Sequence, residues 1–169
     1  MKTLRQLLPA ATGVAIVAGL TLFLLDRGSA LGPWLLAVLL FAHGWVHLMF
    51  FFPAPDPSRR EPGSPRYPFV MADSWLIGRA GLEEARVRVA GFMFVGVTFA
   101  GFVLAALATV GWLVPAGWWG TLVLGASVLS TCTLLMFVSP LLLLGFGINA
   151  ALAWLVLSSA WAPGGGGGA

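Results

Sequence analysis

The sequence predicts an all-α protein, a polytopic membrane helix bundle of five transmembrane helices with the N-terminus in the cytoplasm and the C-terminus outside. Of the 169 residues, 59% are hydrophobic and only 9% are charged, whereas an ordinary soluble domain carries about 25% charged residues. The apolar residues form runs that approach the length of about 20 residues that a membrane-spanning helix needs. Basic residues concentrate on one side of these runs, a pattern that sets the orientation of membrane proteins.

The predicted spans belong to one bundle over residues 1–162, followed by a Gly-rich tail over 163–169 that is expected to be flexible. The only cysteine, Cys132, excludes an internal disulfide and a cysteine-based metal cluster. The spans cover residues 7–25, 33–52, 88–110, 118–138 and 141–161.

The first span follows Lys2 and Arg5 and ends at Asp26. A secretory signal peptide is the competing interpretation, because residues 28–30 resemble a cleavage site with small residues. The apolar run is longer than the core of about 7–15 residues found in signal peptides. We therefore expect a retained helix.

The second span begins at Pro33, a residue that suits the first turn of a helix because its missing N–H costs nothing there. Pro53 ends this span and opens a proline-rich, charged loop over residues 53–87. Within the loop, residues 67–82 are more apolar, and Asp73 is a possible helix cap. We expect a short helix at the membrane interface there.

The last three spans are separated by short breaks. The third span contains small residues at steps of four or five residues: Gly96, Ala100, Gly101 and Ala105. Small residues at such a spacing let a second helix approach closely. A turn around Pro115 separates the third span from the fourth, and Pro140 reverses the chain before the fifth.

The distribution of basic residues predicts the orientation. Six of the nine basic residues lie between Arg59 and Arg88, five of them in the 53–87 loop and Arg88 at the start of the third span. Lys2 and Arg5 precede the first span, and only Arg27 falls on the opposite side. Because short cytoplasmic loops carry an excess of basic residues, the 53–87 loop is predicted to be cytoplasmic.

The only two histidines, His43 and His47, lie inside the second span. Ionisable residues within a span are costly unless they face a protein interior or a wet cavity, so they are functional candidates. A spacing of four residues places both on one helix face, which Gly44 is expected to keep open. A rise of about 1.5 Å per residue places His47 about 8 Å, His43 about 14 Å and Asn149 of the fifth span about 12 Å below the cytoplasmic surface.

Other polar residues are predicted at the same depth. Thr131 and Thr133 of the fourth span fall in this layer, and Arg88 can reach it from the boundary. The sequence therefore predicts a cytoplasm-facing polar pocket. In the alternative interpretation these groups only form hydrogen bonds between helices, worth about 0.6 kcal/mol on average. The predicted pocket residues are His43, His47, Arg79, Arg88, Asn149, Thr131 and Thr133.

The residues of this pocket identify no catalytic group and no cofactor. His43 and His47 are weak metal candidates, because structural zinc takes four ligands and catalytic zinc three, and no carboxylate lies within a span. Two histidines on one helix face also cannot sandwich a haem iron. Proton or quinone chemistry at the histidines remains open, and so does binding of an anionic lipid headgroup by Arg79, Arg86 and Arg88.

Several segments resemble, in order and approximate spacing, a family of small bacterial integral membrane proteins with no assigned activity. Its members read HG-x-x-H-L, then Gly-Arg and Arg-Val-x-Gly segments, and a last helix with a Gly-x-x-x-Asn pattern. The additional first span, the proline-rich insertion over 53–68, and Ser139-Pro140 in place of an aspartate depart from that pattern. The resemblance implies a bacterial cytoplasmic membrane location and implies no activity or cofactor. The matching segments are His43-Gly-Trp-Val-His47-Leu, Gly78-Arg79, Val87-Arg88-Val-Ala-Gly91, Trp118-Trp119 and Gly147-Ile-Asn149.

Three functions are compatible with the sequence. The first is a membrane protein that binds a small or lipid-like ligand, the second a membrane enzyme or redox component, and the third a structural subunit of a larger complex. A homo-oligomer is compatible with each, and the lipid bilayer is the expected environment. A transporter is disfavoured because the spans show no internal repeat. Nucleic acid is not an expected partner, because the basic residues do not form one amphipathic face.

Overall fold

The computed structural model describes residues 13–19, 21–22, 30–53 and 67–163, and all regular secondary structure in these residues is helical. This confirms the predicted all-α class. The predicted first span, loop residues 54–66 and the tail after residue 163 lie partly or wholly outside the described residues. The helices are α1 (residues 13–19 and 21–22), α2 (Gly32–His47), α3 (Trp75–Gly78), α4 (Glu84–Thr109), α5 (Trp119–Met136) and α6 (Leu143–Leu157).

Three helical segments of the described chain are long and apolar enough to cross a membrane: Gly32–Phe51, Glu84–Thr109 and Ala116–Met136. The first of these is α2 continued by a 3-10 turn, Leu48–Phe51. The three segments correspond to the predicted second, third and fourth spans. Length and composition therefore indicate a membrane protein.

The last helix is shorter than the predicted span over 141–161. Ser139 has an extended backbone, and a 3-10 turn over Pro140–Leu142 precedes the fifteen residues of α6. At the other end, Ser158 donates a hydrogen bond to the carbonyl of Trp154, and Ser159 has a positive φ of 51° that ends the helix. α6 is therefore an apolar helix below the usual spanning length.

The bundle is built around α4, which packs against both α2 and α5, while α5 packs against α6. A Cβ atom placed on Gly101 would lie 3.1 Å from the Cβ of Ala126, so this glycine brings α4 close to α5. A Cβ atom on Gly96 would meet nothing within 4 Å. Of the predicted stripe of small residues, the Gly101 end is therefore used in packing, and the Gly96 end is not.

A buried apolar cluster lies at the end of the bundle where α2 and α5 finish and α4 begins, which we call the loop end. The ring of Phe50 lies 4.9 Å from that of Phe137 and 5.2 Å from that of Phe69. A Cβ atom on Gly91 would come within 2.9 Å of the Phe137 ring, so glycine leaves room for it. The members of this cluster are Met49, Phe50, Phe69, Met71, Val87, Val95, Leu134, Phe137 and Leu142.

The loop segment 67–83 is fixed to the loop end by hydrogen bonds to helix carbonyls. The Ser74 hydroxyl donates to the carbonyl of Met136 at 2.6 Å, and the Trp75 indole donates to the carbonyl of Leu135 at 2.7 Å. The last carbonyls of a helix have no partner within it, so these donors satisfy the end of α5. The Ser74 side chain also accepts from the N–H of Leu76 and caps α3, so the predicted cap at Asp73 is wrong.

All charged residues of the described chain lie at the loop end, within residues 73–88. At the opposite end, the rings of Trp119 and Trp161 lie 5.2 Å apart, and Trp112 and Trp118 are exposed. Tryptophan at the ends of apolar helices is typical of membrane interfaces. The charged residues are Asp73, Arg79, Glu83, Glu84, Arg86 and Arg88.

Candidate functional site

The two histidines are buried side by side in the middle of the bundle. His43 and His47 are each only 3% exposed, and their ring centroids lie 5.4 Å apart. Both side chains project from the same face of α2, as the four-residue spacing predicts. A polar ring at this depth needs hydrogen-bond partners, and both rings have them.

The partners come from two other helices. The Nε2 atom of His43 lies 2.9 Å from Oδ1 of Asn149 on α6, and Nε2 of His47 lies 2.8 Å from the hydroxyl of Ser130 on α5. The Asn149 amide nitrogen also lies 2.8 Å from the Ser130 hydroxyl and 3.1 Å from the Thr131 hydroxyl. We call these five residues the polar cluster; it joins α2, α5 and α6.

A backbone carbonyl determines which nitrogen of the His47 ring carries the proton. The Nδ1 atom of His47 lies 3.0 Å from the carbonyl oxygen of His43, which can only accept, so Nδ1 carries the hydrogen. In the neutral imidazole, Nε2 is then an acceptor. The Ser130 hydroxyl must therefore donate to His47.

The direction of the Ser130–His47 hydrogen bond determines the donors and acceptors in the rest of the polar cluster. Because the Ser130 hydrogen is already donated, its oxygen accepts from the Asn149 amide nitrogen. This orientation of the amide turns Oδ1 towards His43, which donates from Nε2. Thr131 accepts from the same amide and donates to the carbonyl of Ser127 at 2.8 Å. With both histidines neutral, every one of these hydrogen bonds has one donor and one acceptor.

The polar cluster is closed by an aromatic ring from α4. The Phe102 ring lies edge-on to His43, with centroids 4.8 Å apart. A Cβ atom on Gly44 would lie 2.9 Å from the Cβ of Phe102, so this glycine lets α4 approach the histidine face. The prediction that Gly44 keeps the face open is therefore wrong. His43, His47, Ser130 and Asn149 are all buried and fill the space in which we expected a pocket.

The other predicted pocket residues lie elsewhere. Thr133 is fully buried and donates to the carbonyl of Leu129 in its own helix, 2.9 Å away. Arg79 is exposed and follows α3. Arg88 is exposed on α4, with a guanidinium nitrogen 3.8 Å from a carboxylate oxygen of Glu84. The structure thus joins His43, His47, Asn149 and Thr131 and separates Thr133, Arg79 and Arg88 from them.

Arg88 instead faces a cleft of about 310 Å³ at the loop end. Most of its lining residues are apolar, and they come from the end of α2, the segment 69–72 and the start of α4. The rings of Phe51 and Phe92 are stacked in it, with centroids 4.9 Å apart. We call this the boundary cleft; it is lined by Phe50, Phe51, Phe52, Pro53, Phe69, Val70, Met71, Ala72, Glu84, Arg88 and Phe92.

Sequence reasoning did not assign Ser130 and Phe102 to the site. A signal for Ser130 exists, because it lies nine residues before Ser139 and Asn149 lies nine residues after Pro140. Residues at equal distances from a helical reversal meet in an antiparallel pair, so Ser130 is the natural partner of Asn149. No comparable signal singles out Phe102 among the many apolar residues of α4.

The described residues contain no group of three or more His, Cys, Asp or Glu side chains that could hold a metal ion. The Nε2 atoms of His43 and His47 are already hydrogen-bonded to Asn149 and Ser130. No family model, curated protein or solved structure matches this chain.

Proposed function

We propose that this chain is a five-span protein of the bacterial cytoplasmic membrane that binds a lipid-like ligand in the boundary cleft. The polar cluster holds α2, which supplies one wall of the cleft, against α5 and α6. The single observation that carries this proposal is the composition of the cleft, which combines aromatic walls with Arg88 and Glu84 at the charged end of an otherwise apolar bundle. Such a surface matches a molecule that is apolar at one end and charged at the other.

Two observations support the proposed cytoplasmic position of the cleft. The basic residues of the 53–87 loop favour the cytoplasmic side. α1 supports an N-terminus on that side, because a Cβ atom on Gly13 would lie 3.3 Å from Leu144, near the loop end. Six residues later, a Cβ atom on Gly19 would lie 3.7 Å from Leu39, in the middle of α2. α1 therefore runs from the loop end into the bundle.

Five spans require α6 to cross the bilayer despite its length. Fifteen helical residues extend about 22 Å, less than a hydrocarbon core of about 30 Å. The apolar 3-10 turn Pro140–Leu142 lengthens the segment, and local thinning of the bilayer compensates for a short helix at modest cost.

The dimensions of the cleft favour the head region of a lipid over a whole soluble metabolite. Its volume of about 310 Å³ lies at the lower end of the range for ligand sites. Lipid acyl chains can continue into the bilayer along the exposed faces of Phe51 and Phe52, so only the head region needs to be enclosed.

The closed polar cluster favours a structural role for the histidines over a redox or proton reaction. A substrate would have to displace Phe102 or break the hydrogen bonds that His43 and His47 already make. Hydrogen bonds between membrane helices contribute about 0.6 kcal/mol each on average. Several of them on three helices fix the relative positions of α2, α5 and α6.

The proposed binding is tested by filling the cleft and measuring lipid retained by the purified protein in native mass spectrometry. Ala72 lines the cleft, so Ala72→Trp is expected to remove the retained phospholipid. Ala80 is exposed on the same segment but does not line the cleft, so Ala80→Trp should retain lipid as the wild type does. Equal retention by the two variants, or no lipid on the wild type, would contradict the proposal.

A further inference from the structure

The charged residues of the boundary cleft are an arginine and a glutamate that do not neutralise each other by direct hydrogen bonding. Arg88 and Glu84 lie one turn apart on α4, with 3.8 Å between the guanidinium nitrogen and the carboxylate oxygen. This distance is too long for a hydrogen bond. The side chains are 54% and 53% exposed, so both groups keep free donors and acceptors for a ligand.

The neighbouring pair on the same helix turn behaves differently. Arg86 and Glu83 are in contact at 2.9 Å, and neither residue lines the cleft. These two pairs have the same chemistry and lie at the same end of α4, Glu83 just before the helix and Glu84 as its first residue, but only the Glu84–Arg88 pair lines the cleft. The Glu83–Arg86 pair is therefore a control for the Glu84–Arg88 pair.

The charge balance of the cleft distinguishes between classes of lipid. Its lining residues include one cation and one anion, so the lining has no net charge. A purely anionic headgroup would be attracted to Arg88 but repelled by Glu84, which lies in the same cleft. A headgroup with one phosphate and one ammonium satisfies both residues. This differs from the anionic headgroup expected from the arginines alone.

The hydrogen-bond donors of Arg88 and of the lipid headgroup narrow the class of lipid further. A guanidinium matches a phosphate oxygen pair in geometry and forms charge-assisted hydrogen bonds with it. A primary ammonium has three N–H donors for a carboxylate, whereas a quaternary ammonium has none. In an ethanolamine headgroup two methylene carbons join phosphate and ammonium, a short link that matches charged partners one helical turn apart.

We infer that the boundary cleft selects a zwitterionic aminophospholipid, with its phosphodiester beside Arg88, its primary ammonium beside Glu84 and its glycerol end against Phe51 and Phe92. This selectivity rests on the proposed ligand-binding function and adds the identity of the headgroup. The proposed occupant of the cleft is therefore a lipid and not a second protein chain.

The test is a competition among phosphatidylethanolamine, phosphatidylcholine and phosphatidylglycerol at equal concentrations, read by native mass spectrometry of the full-length protein. Hydrogen bonds to half-exposed charged groups predict that the wild type retains phosphatidylethanolamine about threefold to tenfold over the other two lipids. Glu84→Gln should abolish this preference and raise the share of phosphatidylglycerol. Arg88→Gln should lower retention of all three phospholipids.

Control variants separate the cleft from the general charge of the helix end. Glu83→Gln removes the same charge near the N-terminus of α4 and therefore has a similar effect on the helix dipole. Arg86→Gln removes the same cation. Both are expected to keep the wild-type preference.

The possible results separate this inference from the proposed function. Lipid that is displaced by Ala72→Trp but shows no ethanolamine preference, or the same loss with Glu83→Gln as with Glu84→Gln, would overturn the selectivity and leave lipid binding intact. A wild type that retains no lipid would overturn both. A dimer mass that disappears with Ala72→Trp would also overturn both and assign the cleft to a second copy.

Discussion

Asn149 holds the polar cluster together because its amide is the only group in it that both donates twice and accepts. Its Oδ1 accepts from His43, while its nitrogen donates to Ser130 and Thr131. Ser130 and Thr131 are consecutive residues of α5, and His43 lies on α2, so this one amide joins α6 to both helices. At the residue scale, the specificity of the bundle therefore depends on hydrogen-bond complementarity within an apolar surrounding, where an unsatisfied polar group is costly.

Removing the Ser130 hydroxyl should destabilise the protein. Ser130→Ala leaves the Nε2 acceptor of His47 and one amide hydrogen of Asn149 without a partner, at a cost of roughly 1–3 kcal/mol. Thermal unfolding in mild detergent measures the change.

Thr98 provides the control for this prediction. Its hydroxyl is fully buried and has no hydrogen-bond partner among the described residues. Thr98→Val keeps the shape and removes an unsatisfied group, so it should leave the melting temperature unchanged or raise it. Equal destabilisation by Thr98→Val and Ser130→Ala would show that the polar cluster contributes nothing specific.

At the scale of elements, the segment 67–83 acts as a cover that satisfies helix ends. Ser74 and Trp75 supply donors to the last carbonyls of α5, and Tyr67 donates to the carbonyl of Met49 at 3.3 Å, beyond the end of α2. The same segment supplies Phe69 and Met71 to the buried cluster of the loop end. One wall of the boundary cleft is therefore held in place by a few hydrogen bonds and aromatic contacts.

Ser74→Ala should loosen this cover. The substitution removes both the donor to Met136 and the cap of α3, and loss of a helix cap alone costs about 0.5–2 kcal/mol. Hydrogen exchange is expected to become faster in residues 75–82 and in the last turn of α5. Asp73→Ala, at the exposed neighbouring residue, should have little effect. If Asp73→Ala accelerated exchange as much as Ser74→Ala, the capping role of Ser74 would be refuted.

At the scale of the whole molecule, composition was sufficient to predict a helical membrane bundle, because few other folds tolerate so apolar a chain. The rise per residue also placed His43 and Asn149 at nearly equal depth, and their side chains lie 2.9 Å apart. The first prediction depends on composition alone, and the second on the geometry of a single helix.

The boundary cleft could not be predicted in this way. It exists because residues 69–72 lie against α4, and this segment is held by the adjacent Ser74 and Trp75, which donate to the carbonyls of Met136 and Leu135, far away in the sequence. The prediction that Arg88 reaches the histidines assumed a span beginning at residue 88. α4 begins at Glu84 instead, and the guanidinium of Arg88 remains exposed beside the cleft.

The proposed topology predicts which residues react with a membrane-impermeant maleimide. In a Cys132→Ser background, a cysteine at Leu113, which is exposed between α4 and α5, should be labelled in intact cells. A cysteine at Ala80 should be labelled only after the cells are permeabilised, because the 53–87 loop is proposed to be cytoplasmic. The reverse pattern of labelling would require the opposite orientation.

The most direct test of lipid binding at the boundary cleft is an experimental structure of the full chain in a bilayer that contains phosphatidylethanolamine. We expect one lipid in the cleft, with its phosphate within hydrogen-bond distance of Arg88, its ammonium near Glu84 and its glycerol end against Phe51 and Phe92. A cleft occupied by protein side chains, or a cleft filled only by solvent in such a bilayer, would contradict the account.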